Sequence, residues 1–266
     1  GMNGLGITVT NILSEWFEVS IVNLDYKKKY KQIFKNNASV IGIPKISEIA
    51  KADKRSCVTI SWKPDFARFG IVLPLDTNTL KLLETRMYDI AACSRSNLSI
   101  YFNDSKISVK SMKDYHLALG GTFIGRDEVQ KNNQNVFEFS ISYADKNKGQ
   151  ESKVVGFVNG IQCSQGTHID MVYRRIIECL NELCKKKKKI GTIRPQLVKD
   201  SLILLVNINV PNPSFTSQSK EKLDTTVDKY GFKYVMNQNL MKQLDKSSLM
   251  DDIITSIQNQ EDKDVA

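Results

Sequence analysis

Histidine is scarce in this sequence and cysteine is unpaired. The only two histidines are His116 and His168, which leaves little material for a histidine-rich metal centre or a histidine-dependent triad. Cys57, Cys93, Cys163, Cys179 and Cys184 are odd in number and scattered, without any Cys-x-x-Cys pair. A disulfide framework and a structural zinc site are both excluded on spacing, and buried thiols are expected. No run approaches the roughly eighteen apolar residues that a membrane helix needs. The opening "GMNGLGITVTNILSEW" lacks the basic segment and cleavage site of a secretory signal, so an intracellular, soluble chain is expected.

What is present suits a folded protein with a polyanionic partner. The 266 residues are 41% apolar, enough for one large core or two ordinary ones, and the formal net charge is +9. Charge peaks at Lys185 to Lys189, an uninterrupted "KKKKK". Apolar residues at Ile169, Val172, Ile176, Leu180 and Leu183 recur at helical spacing and predict a helix from about Thr167 into that run. A second helix is signalled by Leu80, Leu83, Met87 and Ile90, with Asp76 or Thr77 as its cap. Strands are expected over residues 57 to 62, 98 to 102, 136 to 143, 154 to 160 and 201 to 210. Periodicity is lost between about Tyr115 and Asn135, which places a domain boundary there, and "ADKNKGQESK" reads as a long hairpin loop. The tail after Gln258 reads as frayed.

Several stretches could carry chemistry. Gly1, Gly4 and Gly6 precede the helical pattern Val9, Ile12 and Leu13. Glycines let a backbone approach an anion, and the free amides of a helix start point toward it. An ordinary glycine-rich turn would look the same. After the β-branched run "LILLVNINV", the segment "PNPSFTSQSKE" offers Gln218, Ser219 and Lys220 on a loop stiffened by Pro211 and Pro213. Lysine is a compact cation able to reach a terminal phosphate, but a capping turn with Ser217 or Ser219 as N-cap is equally compatible. The lysine run could track a nucleic-acid backbone or simply be a solvated helix end, and it has no interleaved aromatics for base stacking. His168 and Asp170 read as part of a helix start capped by Thr167 rather than as a base and its orienter. In "SWKPDFARFG", Asp65 is expected to bond local backbone with Phe66 and Phe69 packing beneath.

In this order, "GMNGLG" with "TNILS", "YKQIFKNN", "KPDFARFG", "LETRMYDIAA", "FVNGIQCSQGTHID", "KKKKK", "VKD" and "NPSFTSQSKE" resemble the ATPase region of type IIA DNA topoisomerases of the eukaryotic and large-DNA-virus kind. The resemblance implies an α/β (α+β) fold: residues 1–117 as the C-terminal part of a GHKL (Bergerat-type) ATPase sandwich including its ATP lid, and residues 118–266 as a transducer domain of ribosomal-protein-like βαβ fold. It implies ATP and Mg2+ as cofactors, with ATP contacts at Gly1, Met2, Asn3, Gly4, Leu5, Gly6, Ile7 and Thr8 of the lid and at Gln218, Ser219 and Lys220 of the transducer loop. It points to Lys186, Lys187 and Lys188 as DNA contacts, to double-stranded DNA as partner, and to a homodimer through the ATPase region. The implied role is part of an ATP-operated clamp that passes one duplex through another; the alternative is a non-enzymatic nucleic-acid-binding or dimerisation module. Met2, Thr8 and Ser219 depart from the family's usual arginine, lysine and threonine. The family's general base and its magnesium- and adenine-binding residues precede the lid, so no catalytic residue is assigned here and this piece alone is expected to be inactive. Location would be the nucleus for a cellular source, or host cytoplasm for a cytoplasmic large DNA virus.

Overall fold

The computed structural model describes residues 4–94, 97–132, 134–187 and 193–265. Compactness divides the chain into residues 1–80 and 81–266. The expected domain boundary near residue 117 falls inside the second of these units. The reason is packing: Ala91, Ala92, Ile107, Val109, Met112 and Tyr115 share a core with Val155, Phe157 and Leu205 of the second unit's sheet.

In the first unit, helix α1 (Leu5–Ile12) leads into β1 (Ser14–Asn23), β2 (Lys28–Lys35), β3 (Val40–Ile41), β4 (Lys45–Glu48) and β5 (Cys57–Pro64). The strand order is β3-β2-β1-β5, with β4 also paired to β2, and every pairing is antiparallel. The lysine-rich sequence of β2 hid that strand from a periodicity reading, whereas β5 falls on the strand expected over residues 57 to 62. The cations of β2 are neutralised by neighbouring elements: Lys31 by Glu18 of β1 at 2.9 Å, and Lys29 by Asp53 of the β4–β5 connection at 2.7 Å. Cross-strand opposite charges of this kind favour the pairing.

The second unit begins within α2 (Thr77–Cys93). Asp76 caps that helix, accepting from the amides of Asn78 and Thr79 at 2.8 and 2.9 Å. There follow β6 (Tyr101–Phe102), β7 (Ser105–Lys106), α3 (Met112–Leu119), β8 (Thr122–Lys131), β9 (Gln134–Tyr143), β10 (Lys153–Val158), β11 (Ile161–Gln162), β12 (Gln165–Gly166), α4 (Thr167–Lys186), α5 (Pro195–Asp200), β13 (Leu202–Ile208), β14 (Lys222–Leu223), α6 (Gln238–Asp245) and α7 (Ser248–Val265). The main sheet runs β11-β10-β13-β9-β8, with β10 and β13 parallel. A parallel pair needs a crossover, and α4 supplies it. All seven residues of β13 are buried, because α4 covers one face of the sheet while α2 and α3 cover the other. That two-sided burial is why the strand reads as an unbroken apolar run.

Four expectations change. The stretch near residues 115 to 135 that reads as aperiodic is regular structure, the end of α3 followed by β8. The segment 144–152 is not a hairpin loop, since β9 and β10 flank β13 on opposite sides. Residues 98 to 102 form only a two-residue strand, and the chain beyond Gln258 continues as helix α7 to Val265. Among the described residues no helix is long and apolar enough to cross a membrane.

Burial also settles the histidines. His116 is fully buried between Ser142 Oγ at 2.6 Å and Ser140 Oγ at 2.8 Å. Burial lowers its pKa to about 4. His168 is equally buried, its Nε2 lies 2.8 Å from Cys163 O, and burial takes its pKa to about 4 as well. Thr167 is not the N-cap of α4. Gly166 holds that position without a side-chain cap, and the Thr167 hydroxyl is committed elsewhere.

Candidate functional site

The first unit offers a helix start with open amides. Gly4 is the N-cap of α1 at φ 63, a left-handed conformation that glycine adopts without strain. The amides of Leu5, Gly6 and Ile7 precede the first intrahelical bond, Thr8 N to Gly4 O at 3.3 Å. Thr8 and Thr10 turn their hydroxyls back onto Gly4 O and Gly6 O at 3.2 and 2.9 Å. A Cβ at Gly4 or Gly6 would meet nothing within 4 Å, so neither position is filled by the unit's own side chains. Helix α1 buries no residue. Gly6 lies inside the helix rather than ahead of it, and Gly1, Met2 and Asn3 lie outside the described residues.

Two quoted motifs converge on the far end of this helix, which their separation in sequence did not reveal. Asp65 N donates to Leu13 O at 3.0 Å, and Asn37 N donates to Ser14 O at 3.0 Å. Asn37 Nδ2 then reaches Asp65 Oδ2 at 3.2 Å. Burial alone would raise the Asp65 carboxyl, but the Arg68 amide, Asn37 and the Arg68 guanidinium hold it below its ordinary value. Asp65 bonds local backbone as expected, through Arg68 N. Phe69, however, is exposed rather than packed beneath.

The second unit presents a hairpin from Ser214 to Thr225. Its base is closed by Ser214 N to Thr225 Oγ1 at 2.7 Å and Asp224 N to Ser214 O at 2.9 Å. Its tip carries Gln218, Ser219 and Lys220. Ser217 and Ser219 share a 2.7 Å hydroxyl contact, and Lys220 N donates to Ser217 O at 3.1 Å. No helix starts here, so the capping-turn alternative falls away. Lys220 sits at φ 60, where a residue with a Cβ is uncommon. Among the described residues no acid pairs with its ammonium.

At the other end of the same unit, Lys186 closes α4 and is exposed, and Lys187 follows as its C-cap. Lys187 Nζ is engaged by Asp245 Oδ1 at 2.9 Å. Lys188 lies outside the described residues. Among the described residues no three His, Cys, Asp or Glu side chains cluster as metal ligands.

The family described as DNA gyrase B matches residues 99–266. The chain belongs to this family of type IIA DNA topoisomerases. It is 33% identical over 285 residues to DNA topoisomerase 2 of Candida albicans, covering 99% of this chain and 19% of that protein. Against DNA topoisomerase 2 of Acanthamoeba polyphaga mimivirus it is 31% identical over 271 residues, covering 100% of this chain and 21% of that protein. The chain thus spans about a fifth of the length of the curated relatives it matches. The ATPase region of Saccharomyces cerevisiae topoisomerase II superposes with a TM-score of 0.81 at 27% identity, covering 97% of this chain and 65% of that one. The mixed α/β architecture of this type IIA topoisomerase chain is accordingly that of the GHKL-type ATPase region.

Proposed function

We propose that this chain forms part of the ATP-operated clamp of a type IIA DNA topoisomerase, coupling ATP binding and hydrolysis to the passage of one DNA duplex through another. The observation that carries this reading, in a chain of this family, is the unfilled helix start at Gly4 to Thr8 of the first unit; taken by itself, the second unit presents Lys220 on a hairpin without an acidic partner among the described residues. The amides of Leu5, Gly6 and Ile7 suit the phosphates of ATP, since an anion there meets both free N–H groups and the positive end of the helix dipole. Bound ATP supplies the phosphoryl group whose loss resets the clamp. Lys220 supplies a cation for the terminal phosphate, with Gln218 and Ser219 as neighbouring polar contacts. The longer polypeptide would act as a homodimer inside the cell on double-stranded DNA, with Lys186, Lys187 and Lys188 as its proposed contacts. The described residues contain no carboxylate cluster for Mg2+, and no step is assigned to it.

Two substitutions test the assignment. Lys220→Asn removes the charge while keeping a side chain that tolerates the left-handed region. A charge-assisted contact contributes about 1.5–3 kcal/mol, so DNA-stimulated ATP hydrolysis by the full-length enzyme should fall at least about tenfold with the thermal stability unchanged. Wild-type turnover would remove Lys220 from the mechanism. Gly6→Ala meets no clash within the unit and replaces a poor helix former, which should stabilise α1 by up to about 1 kcal/mol. Calorimetry of nucleotide binding should nevertheless show weaker affinity, because the added methyl obstructs the approach of phosphate to the backbone. Unchanged affinity would argue that no ligand approaches Gly6.

A further inference from the structure

The hairpin that carries Lys220 is fastened to the start of α4 by one side chain beside a short backbone ladder. Thr167 Oγ1 donates to Thr225 O at 2.6 Å, at the hairpin's closing residue. Its proton being used there, Thr167 Oγ1 accepts from Tyr230 Oη at 2.7 Å. Burial pushes the Tyr230 phenol up to about 12, so it remains a donor at physiological pH. Beside this contact β12 and β14 pair in parallel, Gln165 with Lys222 and Gly166 with Leu223. Nothing in the helix itself requires the Thr167 hydroxyl, because Gly166 is the N-cap and no side-chain cap bond is made.

Helix α4 is itself immobilised. His168, Ile169, Met171, Val172, Tyr173, Ile176, Cys179, Leu180, Leu183 and Cys184 are buried along its 20 residues, and Lys187 beyond its end is paired with Asp245 of α6. A helix of this length spans about 30 Å. Its first turn therefore holds the Lys220 hairpin, and its last turn carries the exposed Lys185 and Lys186.

We propose that Thr167 is a positioning residue that locks the Lys220 hairpin onto α4, so that the placement of the Lys220 ammonium and of the basic end of α4 is set by one rigid strut. This rests on the nucleotide role assigned above to Lys220. Thr167 touches neither ATP nor DNA. It acts through the hairpin base, whose bonds from Asp224 N and Thr225 N to Ser214 O keep the tip in register.

Thr167→Val keeps the shape and removes the hydroxyl, whereas Thr167→Ser retains it. Tyr230→Phe removes only the outer donor. In the present chain, amide exchange at Asp224 and Thr225 should quicken about tenfold in Thr167→Val and stay near wild type in the other two. In the full-length enzyme, Thr167→Val should lower kcat for ATP hydrolysis about tenfold, leave KM for ATP within about twofold, and abolish most of the stimulation by DNA, with Thr167→Ser restoring both. Unchanged kcat and DNA stimulation alongside faster exchange would make Thr167 merely structural and overturn the inference. Lys220→Asn separates the two readings. A defective Lys220→Asn beside a wild-type Thr167→Val overturns this inference alone, while a silent Lys220→Asn overturns the nucleotide reading and this inference together.

Discussion

Replacing Gly166 with alanine is expected to cost the chain about 2–6 kcal/mol of stability and to open the base of the Lys220 hairpin. Gly166 sits at φ +114, a region that disfavours any side chain by roughly 1–3 kcal/mol. A Cβ there would also lie 2.2 Å from Leu223 O and 2.6 Å from Leu223 N. Both contacts are backbone, so no rotamer change relieves them. The β12–β14 pairing has to separate, or the hairpin has to shift away from α4. Forced overpacking of this kind adds about 1–3 kcal/mol. Urea unfolding measures the total as a lower midpoint. Gly149→Ala is the control: its φ of +68 is also left-handed, but nothing lies within 4 Å of the added methyl, so about 1 kcal/mol is expected there. If Gly166→Ala were no worse than Gly149→Ala, the close approach of the two backbones would be refuted.

Acidification should destabilise the second unit well above the pH at which carboxylates titrate. His116 and His168 are both held neutral by burial, with pKa values of about 4 against 6.5 for a free side chain. The sign follows from proton counting. Between pH 6.5 and 4 the unfolded chain binds two protons that the folded chain excludes, so stability is fully present above 6.5 and is lost as the pH falls through this window. Each histidine is worth up to about 3 kcal/mol across the whole range, and the slope of unfolding free energy approaches about 2.7 kcal/mol per pH unit. Asp53, Asp65 and Asp76 sit below their ordinary values and titrate lower still. Denaturant titrations between pH 4 and 8 read the slope directly. His116→Asn, which can still bond between Ser140 and Ser142, should halve it. A flat profile in the wild-type chain would mean that the two rings are not sealed from water.

Some of this was legible without coordinates. The α4 stripe at Ile169, Val172, Ile176, Leu180 and Leu183 is buried residue for residue, because a helix packed on one face must repeat its apolar positions at that interval. The run from Leu202 to Ile208 announced a strand covered on both faces. β1, β2 and β8 escaped notice because their charged residues are satisfied by partners on other strands, as Lys31 is by Glu18 and Arg126 is offset by Glu138. Such pairing is invisible to any single-strand pattern. The role of Thr167 was misread for a related reason: its position at a helix start suggested a cap, whereas its partners lie 58 and 63 residues away.

The sequence by itself determined what local periodicity and motif order can encode: the family, the crossover helix, the central buried strand, and the residue types suited to phosphate. Tertiary structure alone decided where compactness divides the chain, which helix-start hydroxyl fastens the Lys220 hairpin, and that both histidines are shut away from water. Those outcomes depend on contacts between residues far apart along the chain, and one-dimensional order does not record which distant backbone a glycine must let pass or which buried ring loses its solvent.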